Sequence, residues 1–509
     1  MSRRAAIAAP NAHATEAAAH ALAQGGNAVD AAITAMLTTT VTEPGIVAPL
    51  GGGFVNIWPV HGDPVVVDGN VEMPGRGQPR EAFGERGLIR REIAYGGGMV
   101  TYVGPASVAT PGLIAGMAAA HERFGSALWH ELLRPAADVA RGGFALSRTA
   151  QSYLVLASAP IFSWDEATRA RYTDDGAPLP VGALIRDPLL ADTLEHIGAE
   201  GASTLCTGDL ARAIADDMTA RGGLLGAADL AAYRPVARPA LRSRLGDWDL
   251  ACNPPPSIGG PVLTALLRLL AAVEGDITPA RAATVMKEVL DIRLDRIDTA
   301  EDLAAAGAEL LETLHEIGAT GLPTSPSTAH VSVVDEDGMA CALTASAGYG
   351  SGMTVAGTGL VANNALGELE LNRLGLHAVA PGTRLASNMA PTTARLADGS
   401  VIAIGTPGAD RITTALAQVM IHVARHGEAL QTAIDRPRMH PRRLDDGTDR
   451  IEHEQDEEIA ASLDGAGLAR HEHPPLSMFF GGVGAAARHS DGRLEAAADP
   501  RRAAATLLV

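Results

Sequence analysis

Aromatic residues are scarce in this chain: Phe, Tyr and Trp together make up 3% of its 509 residues. The core must therefore be filled by small aliphatic side chains, and with 56 glycines it has to rely on close backbone packing. Cysteine is scarcer still. Cys206, Cys252 and Cys341 are far apart and odd in number, which argues against a disulfide framework and offers no CxxC metal spacing. Cys341 falls in an alternating run, where a small buried residue is expected. Positive charge is in deficit as well. The 40 Lys and Arg against 59 Asp and Glu leave a net charge of −19, and an acidic surface repels phosphate backbones, so nucleic acid is not an expected partner. No apolar run reaches the ~20 residues that a membrane span needs. The start Met1-Ser2-Arg3-Arg4 resembles an export signal, but its apolar stretch is short and broken by Pro10, Asn11 and His13. A cytoplasmic protein without a membrane anchor is the expectation.

Hydrophobic residues (47%) and charged residues (19%) are in globular proportion. The first third reads as helix, with Thr15 as N-cap and Gly25-Gly26 as stop, then a second helix from Ala28 to about Thr39. Gly51-Gly52-Gly53 feeds a short strand; because it precedes the strand, it is not a dinucleotide fingerprint. Helices are expected over 113–143, as three short pieces over 186–233, and over 281–316. Trp248–Cys252 is a strand that must end at Pro254-Pro255-Pro256, since proline cannot donate to a ladder. Leu263, Leu266, Leu267 and Leu270 then mark an amphipathic helix.

At Ser327 the period changes. Residues alternate from Thr328, turn at Asp335-Glu336-Asp337-Gly338 and return from Met339 to Ala345. Two further hairpins centre on Asp398-Gly399 and Asp491-Gly492. Helices before and hairpins after predict a layered α+β domain. Pro323 to Ser327 reads as an exposed linker, where chain cleavage is sterically feasible.

Several short motifs occur in a fixed order: Gly25-Gly26-Asn27-Ala28-Val29-Asp30-Ala31-Ala32, Glu43-Pro44, Gly51 to Phe54, Pro111-Gly112, the loop from Pro254 to Gly260, Thr328 to Asp335, Asn363-Asn364, Ser387 to Thr392, Thr406-Pro407-Gly408 and Asp499-Pro500-Arg501. Taken together they resemble the γ-glutamyltransferase family of N-terminal-nucleophile hydrolases along nearly the whole chain. The resemblance implies a four-layer αββα sandwich made as a precursor. Residues 1–327 would form a large subunit and 328–509 a small one, cut between Ser327 and Thr328. The new α-amine of Thr328, with a reference pKa near ~8, can serve as base for its own hydroxyl. No distant histidine is then required, and His330 is expected to be structural.

By the same resemblance Ser346 supports the nucleophile, and the backbone amides of Gly408 and Ala409 receive the oxyanion. Arg80 holds a substrate carboxylate, while Glu368, Ser387 and Asn388 complete the substrate pocket. No cofactor or metal is implied. The expected partners are a small acyl substrate, a γ-glutamyl amide by default, and water or an amine acceptor. The oligomeric state is left open, a homo-oligomer included.

The sequence also departs from the family. Ala365, Leu366, Gly367 and Glu368 stand where a glutamine and an acidic pair are usual, Gly348 where an asparagine is, and Asn388 where a second serine is. A glutaryl-type acylase, a hydrolase of a carbonyl-linked bond and an unprocessed non-catalytic homologue are therefore alternatives. Outside these motifs, His471-Glu472-His473 offers two metal ligands with no third at suitable sequence spacing, and the run Glu454 to Glu458 reads as a solvated helix start.

Overall fold

Two antiparallel sheets lie face to face between two layers of helices, in the computed structural model that describes residues 3–84, 86–94, 98–313, 328–444 and 446–509. The first sheet runs, from edge to edge, Val236–Pro239, Val65–Gly69, Gly52–Trp58, Ala340–Ser346, Ala329–Asp335, Ala5–Ala9 and Ala505–Leu508. The second runs Leu241–Leu245, Trp248–Cys252, Thr392–Arg395, Val401–Gly405, Gly484–Arg488 and Leu494–Ala498. Helices Ala12–Ala23, Ala28–Thr42, Leu113–Phe124 and Trp129–Gly142 share a core with the outer face of the first sheet. Helices Gly259–Ala271, Pro279–Ile292 and Arg411–His426 do the same for the second. This is the αββα sandwich expected from the sequence.

Strand alternation sorts the layers. On Ala329–Asp335 the residues Ala329, Val331 and Val333 join the helix-side core, while Val334 faces the other sheet. The space between sheets is filled largely by small residues: Ala6, Ala251, Ala340, Ala342, Ala403 and Ala486. The scarcity of aromatics is thus met by sheets that approach closely over alanine. Polar side chains enter this gap too: Asn56 donates from Nδ2 to Ala251 O at 2.7 Å, and the His330 ring lies against Gly405. His330 Nδ1 pairs with Thr344 Oγ1 at 2.8 Å and Nε2 with Ser332 Oγ at 2.7 Å. Burial lowers its pKa to about 3, so the ring is neutral, a structural role as expected. Gly405 makes the room for it, because a Cβ there would lie 2.3 Å from the His330 ring.

Local details differ from the sequence reading where side chains compete for backbone groups. The first helix starts a turn before Thr15: Asn11 is its cap and accepts from Ala14 N at 3.1 Å, while the Thr15 hydroxyl donates to Ala12 O. The second helix continues past Thr39 to Thr42 and is buried along its whole length. Its threonines make this tolerable, since Thr34, Thr38, Thr39 and Thr42 each donate to the carbonyl four residues back. The helix expected over 281–316 is broken into Pro279–Ile292, a wider π turn at Arg293–Ile297 and Leu303–Thr313; residues 314–316 lie outside the described residues. A buried Arg293–Asp298 pair at 3.1 Å holds the break. Among the described residues no helix is long and apolar enough to cross a membrane.

Gly405→Ala should lower the stability of the fold by about 1–3 kcal/mol, the usual cost of overpacking a filled interior. Urea denaturation checks this; an unchanged midpoint would mean that the inter-sheet gap yields to the methyl group.

Candidate active site

Thr328 sits immediately before the strand Ala329–Asp335 and is buried. That strand pairs with Ala340–Ser346 in a register that sets Ala329 opposite Ala345. One step further along the same ladder brings Thr328 beside Ser346. Both line a cleft that also holds Gly348, Glu368, Glu370, Ser387, Asn388 and Ala409. Thr328, Ser346, Glu368, Ser387, Asn388 and Ala409, singled out in the sequence, therefore meet in one place. Gly408 adjoins it through Ala409. Ser327 lies outside the described residues. Arg80 is in an exposed turn, Arg80–Ala82, and is not among the residues lining the cleft.

The loop carrying Gly408 and Ala409 leaves the strand Val401–Gly405 and enters the helix Arg411–His426. Gly408 takes φ +133° and Ala409 φ +55°, a left-handed conformation that costs a residue with a Cβ about 1 kcal/mol. Neighbouring side chains hold it there. Arg411 Nε donates to Phe479 O at 2.7 Å, its Nη1 to Asp410 Oδ1 at 2.8 Å, and Asp410 Oδ2 pairs with His440 Nε2 at 2.8 Å. Thr406 Oγ1 accepts from Gly482 N at 2.9 Å. Sequence reasoning missed this brace, because its members are spread from residue 406 to 482 and join only through the fold.

The opposite wall is the segment Ser387-Asn388-Met389. The Ser387 carbonyl accepts from Ile258 N at 2.9 Å and Gly259 N at 3.0 Å, and Ser387 Oγ accepts from Met389 N at 3.3 Å. The paired glycines of the proline-rich loop permit this contact: a Cβ at Gly259 would lie 2.2 Å from Asn388 O, and one at Gly260 1.8 Å from Asn253 O. Asn388 Oδ1 is buried and has no hydrogen-bond partner among the described residues.

The acidic end of the cleft differs most from the family pattern. Gly348 has φ +63°, and a Cβ on it would fall 2.3 Å from Asn364 Oδ1 and 2.8 Å from Glu368 Oε1. Asn364 and Glu368 thus occupy the volume that a side chain at 348 would need. Glu370, two residues on, is a second buried carboxylate in the same cleft and was missed in the sequence. Its Oε1 accepts from Tyr349 Oη at 2.7 Å. Burial first, and the adjacent Glu370 charge second, push the Glu368 carboxyl well above the usual carboxylate range. None of the described residues lining this cleft is basic.

A second pocket opens on another side of Thr328 and is lined by Glu43, Thr149, Pro407 and Arg502 among others. Glu43 accepts from Asn11 Nδ2 at 2.7 Å. Burial dominates over that bond, over Ser147 and over the Arg502 charge, and raises its pKa to about 7.

The chain is similar to several known proteins. The sequence pattern of the gamma-glutamyltranspeptidase family matches residues 14–305 and 276–509. An acylase ACY 1 proenzyme of Pseudomonas sp. (strain SE83) is 30% identical over 511 residues, covering 95% of this chain and 90% of its own. The glutathione hydrolase proenzyme of Escherichia coli (strain K12) is 26% identical over 540 residues, covering 97% and 90%. Among solved structures, a cephalosporin acylase from Bacillus halodurans superposes with a TM-score of 0.80 at 22% identity, covering 99% of this chain and 96% of that one.

Glu43 yields a pH prediction. Its folded pKa, about 7, lies above the ordinary 4.5, so the folded state holds the proton more tightly than the unfolded state does. That contribution to stability is complete below pH 4.5 and is lost as pH rises through about 7. Denaturation at pH 5 and pH 8 should show wild type losing roughly 2–3 kcal/mol more than Glu43→Gln over this interval. Parallel losses would place the titration elsewhere.

Proposed function

The chain belongs to the gamma-glutamyltranspeptidase family, and we propose that it matures by cutting itself before Thr328 and then uses Thr328 as an acyl-transferring nucleophile. The observation that carries this reading is the meeting of Thr328, Ser346, Glu368, Asn388 and Ala409 around a single cleft. In maturation the Thr328 hydroxyl attacks the Ser327 carbonyl carbon, the peptide C–N bond gives way to an ester, and water hydrolyses the ester. This leaves residues 1–327 as a large subunit and 328–509 as a small one.

In turnover the freed α-amine takes the hydroxyl proton as the oxygen adds to the substrate carbonyl. The backbone amides of Gly408 and Ala409 stabilise the oxyanion, and Ser346 orients the nucleophile. Collapse expels the leaving amine, which takes the proton, and an acyl-enzyme remains. Water or an acceptor amine then attacks the ester and regenerates Thr328. Purified protein should run as two fragments, the smaller beginning at Thr328. Thr328→Ala should remain a single 52.3 kDa band and lose activity by roughly a thousandfold or more. A small fragment starting elsewhere, or turnover by the variant, would overturn the assignment.

For the substrate, the polar groups of the cleft favour an acyl chain that ends in an amine. Glu368, Glu370 and the unpartnered Asn388 Oδ1 offer acceptor oxygens to a bound donor, and an ammonium beside the carboxylates restores the charge that burial suppresses. A γ-glutamyl amide meets this through its amine. A glutaryl amide brings the same carboxylate into an acidic site without the amine that would balance it. Chromogenic γ-glutamyl, 4-aminobutyryl and glutaryl anilides separate these readings, the second keeping the amine without the carboxylate. The first two should be turned over and the third not. Glu368→Ala should raise KM for both amine substrates by roughly tenfold or more. Robust turnover of the glutaryl compound alone would favour the acylase reading.

A further inference from the structure

The pair His471 and His473, which lacks a third ligand in the sequence, acquires one in the fold. Strand Arg470–His473 runs parallel to strand Asp449–Glu454, with Glu452 opposite His471. Positions 471 and 473 lie two apart on the strand and so project from one face. Glu452 is fully buried, while His471 is exposed and His473 half-buried. One ligand atom from each of the three residues falls within 4.8 Å of the others.

The buried carboxylate is already oriented. Its Oε1 accepts from Arg450 Nε at 2.8 Å and lies 3.6 Å from Arg442 Nη1. That leaves Oε2 to face the imidazoles, at 2.8 Å from His473 Nε2. The His473 ring is fixed as well, stacked on Phe479 with centroids 4.5 Å apart and planes 17° off parallel. Oriented ligands of this kind are what a metal needs and what a chance cluster of surface histidines lacks.

We propose that Glu452, His471 and His473 form a binding site for a borderline divalent transition-metal ion such as Zn²⁺ or Ni²⁺. Two imidazole nitrogens and one carboxylate oxygen suit such ions, whereas Mg²⁺ and Ca²⁺ prefer all-oxygen shells. The ion displaces the hydrogen bond between His473 and Glu452 and draws in the exposed His471 ring. The two guanidiniums on Oε1 oppose the added positive charge and hold the affinity to the order of micromolar, below that of a closed structural zinc site. The site stands one ring from the catalytic loop. Phe479, on which His473 stacks, accepts from Arg411 through its carbonyl and lies under that guanidinium at 4.5 Å, two residues past Ala409.

Isothermal titration of the tag-free, chelator-treated full chain with ZnCl₂ or NiCl₂ near pH 7.5 tests the proposal. Wild type should bind one equivalent, His471→Ala should bind about tenfold more weakly or not at all, and His61→Ala, at an exposed histidine elsewhere, should match wild type. His471 is exposed, so its loss leaves the fold intact, which circular dichroism verifies. A wild-type chain that takes up no metal, or a His471→Ala chain that titrates like wild type, overturns the site.

Discussion

The antiparallel ladder between Ala329–Asp335 and Ala340–Ser346 is the constraint on which the cleft depends. Its register puts Thr328 and Ser346 at the same end of neighbouring strands, where main-chain hydrogen bonds, not long side chains, set their separation. A wholly buried helix, Ala28–Thr42, backs the ladder on one face. The second sheet closes the other face across alanine and His330. An error of one residue in this register would turn the helix-facing side chains toward the other sheet. Both cores therefore guard the position of the proposed nucleophile.

Around that fixed point the cleft walls have different freedom. The loop carrying Gly408 and Ala409 is tied down by Arg411, Asp410 and His440, and holds Ala409 in a conformation that alanine adopts at a cost. On the acidic wall, by contrast, side chains set the space: Asn364 and Glu368 occupy the volume that a Cβ at Gly348 would need. Main-chain pairing fixes the proposed nucleophile while side chains alone set the acidic wall, a division that fits a family whose members bear the names of both acylases and glutathione hydrolases.

Much of this was legible in the sequence because it is local. Asp335 to Gly338 could only turn, the prolines from 254 had to end a strand, and alternation began at Thr328. Collinear motifs brought the cleft residues together before any coordinate did. What escaped reading is what forms across distance. Glu454 was expected in solvent, as part of an acidic run; in the fold it is buried and bridged to Arg501, while the helix starts at Glu457 behind an Asp456 cap. Glu452, Glu370 and the Asp410–His440 brace were invisible for the same reason. Their partners lie 21, 21 and 30 residues away, respectively. Asn11 displaced Thr15 as the first helix cap through a subtler competition between two side chains for the same turn.

The strands on either side of residue 328 are interwoven. In the first sheet the order from one edge is three strands from before it, two from after, one from before and one from after; in the second, two from before adjoin four from after. Once the bond before Thr328 is severed, these strands belong to two molecules that share both sheets. Unfolding then releases two polypeptides, and recovery becomes a second-order encounter that slows with dilution, whereas the uncut chain refolds at a rate indifferent to concentration. Maturation thus makes the native state a one-time assembly. Its durability rests on how slowly the sheets come apart, because separated subunits have no intramolecular route back.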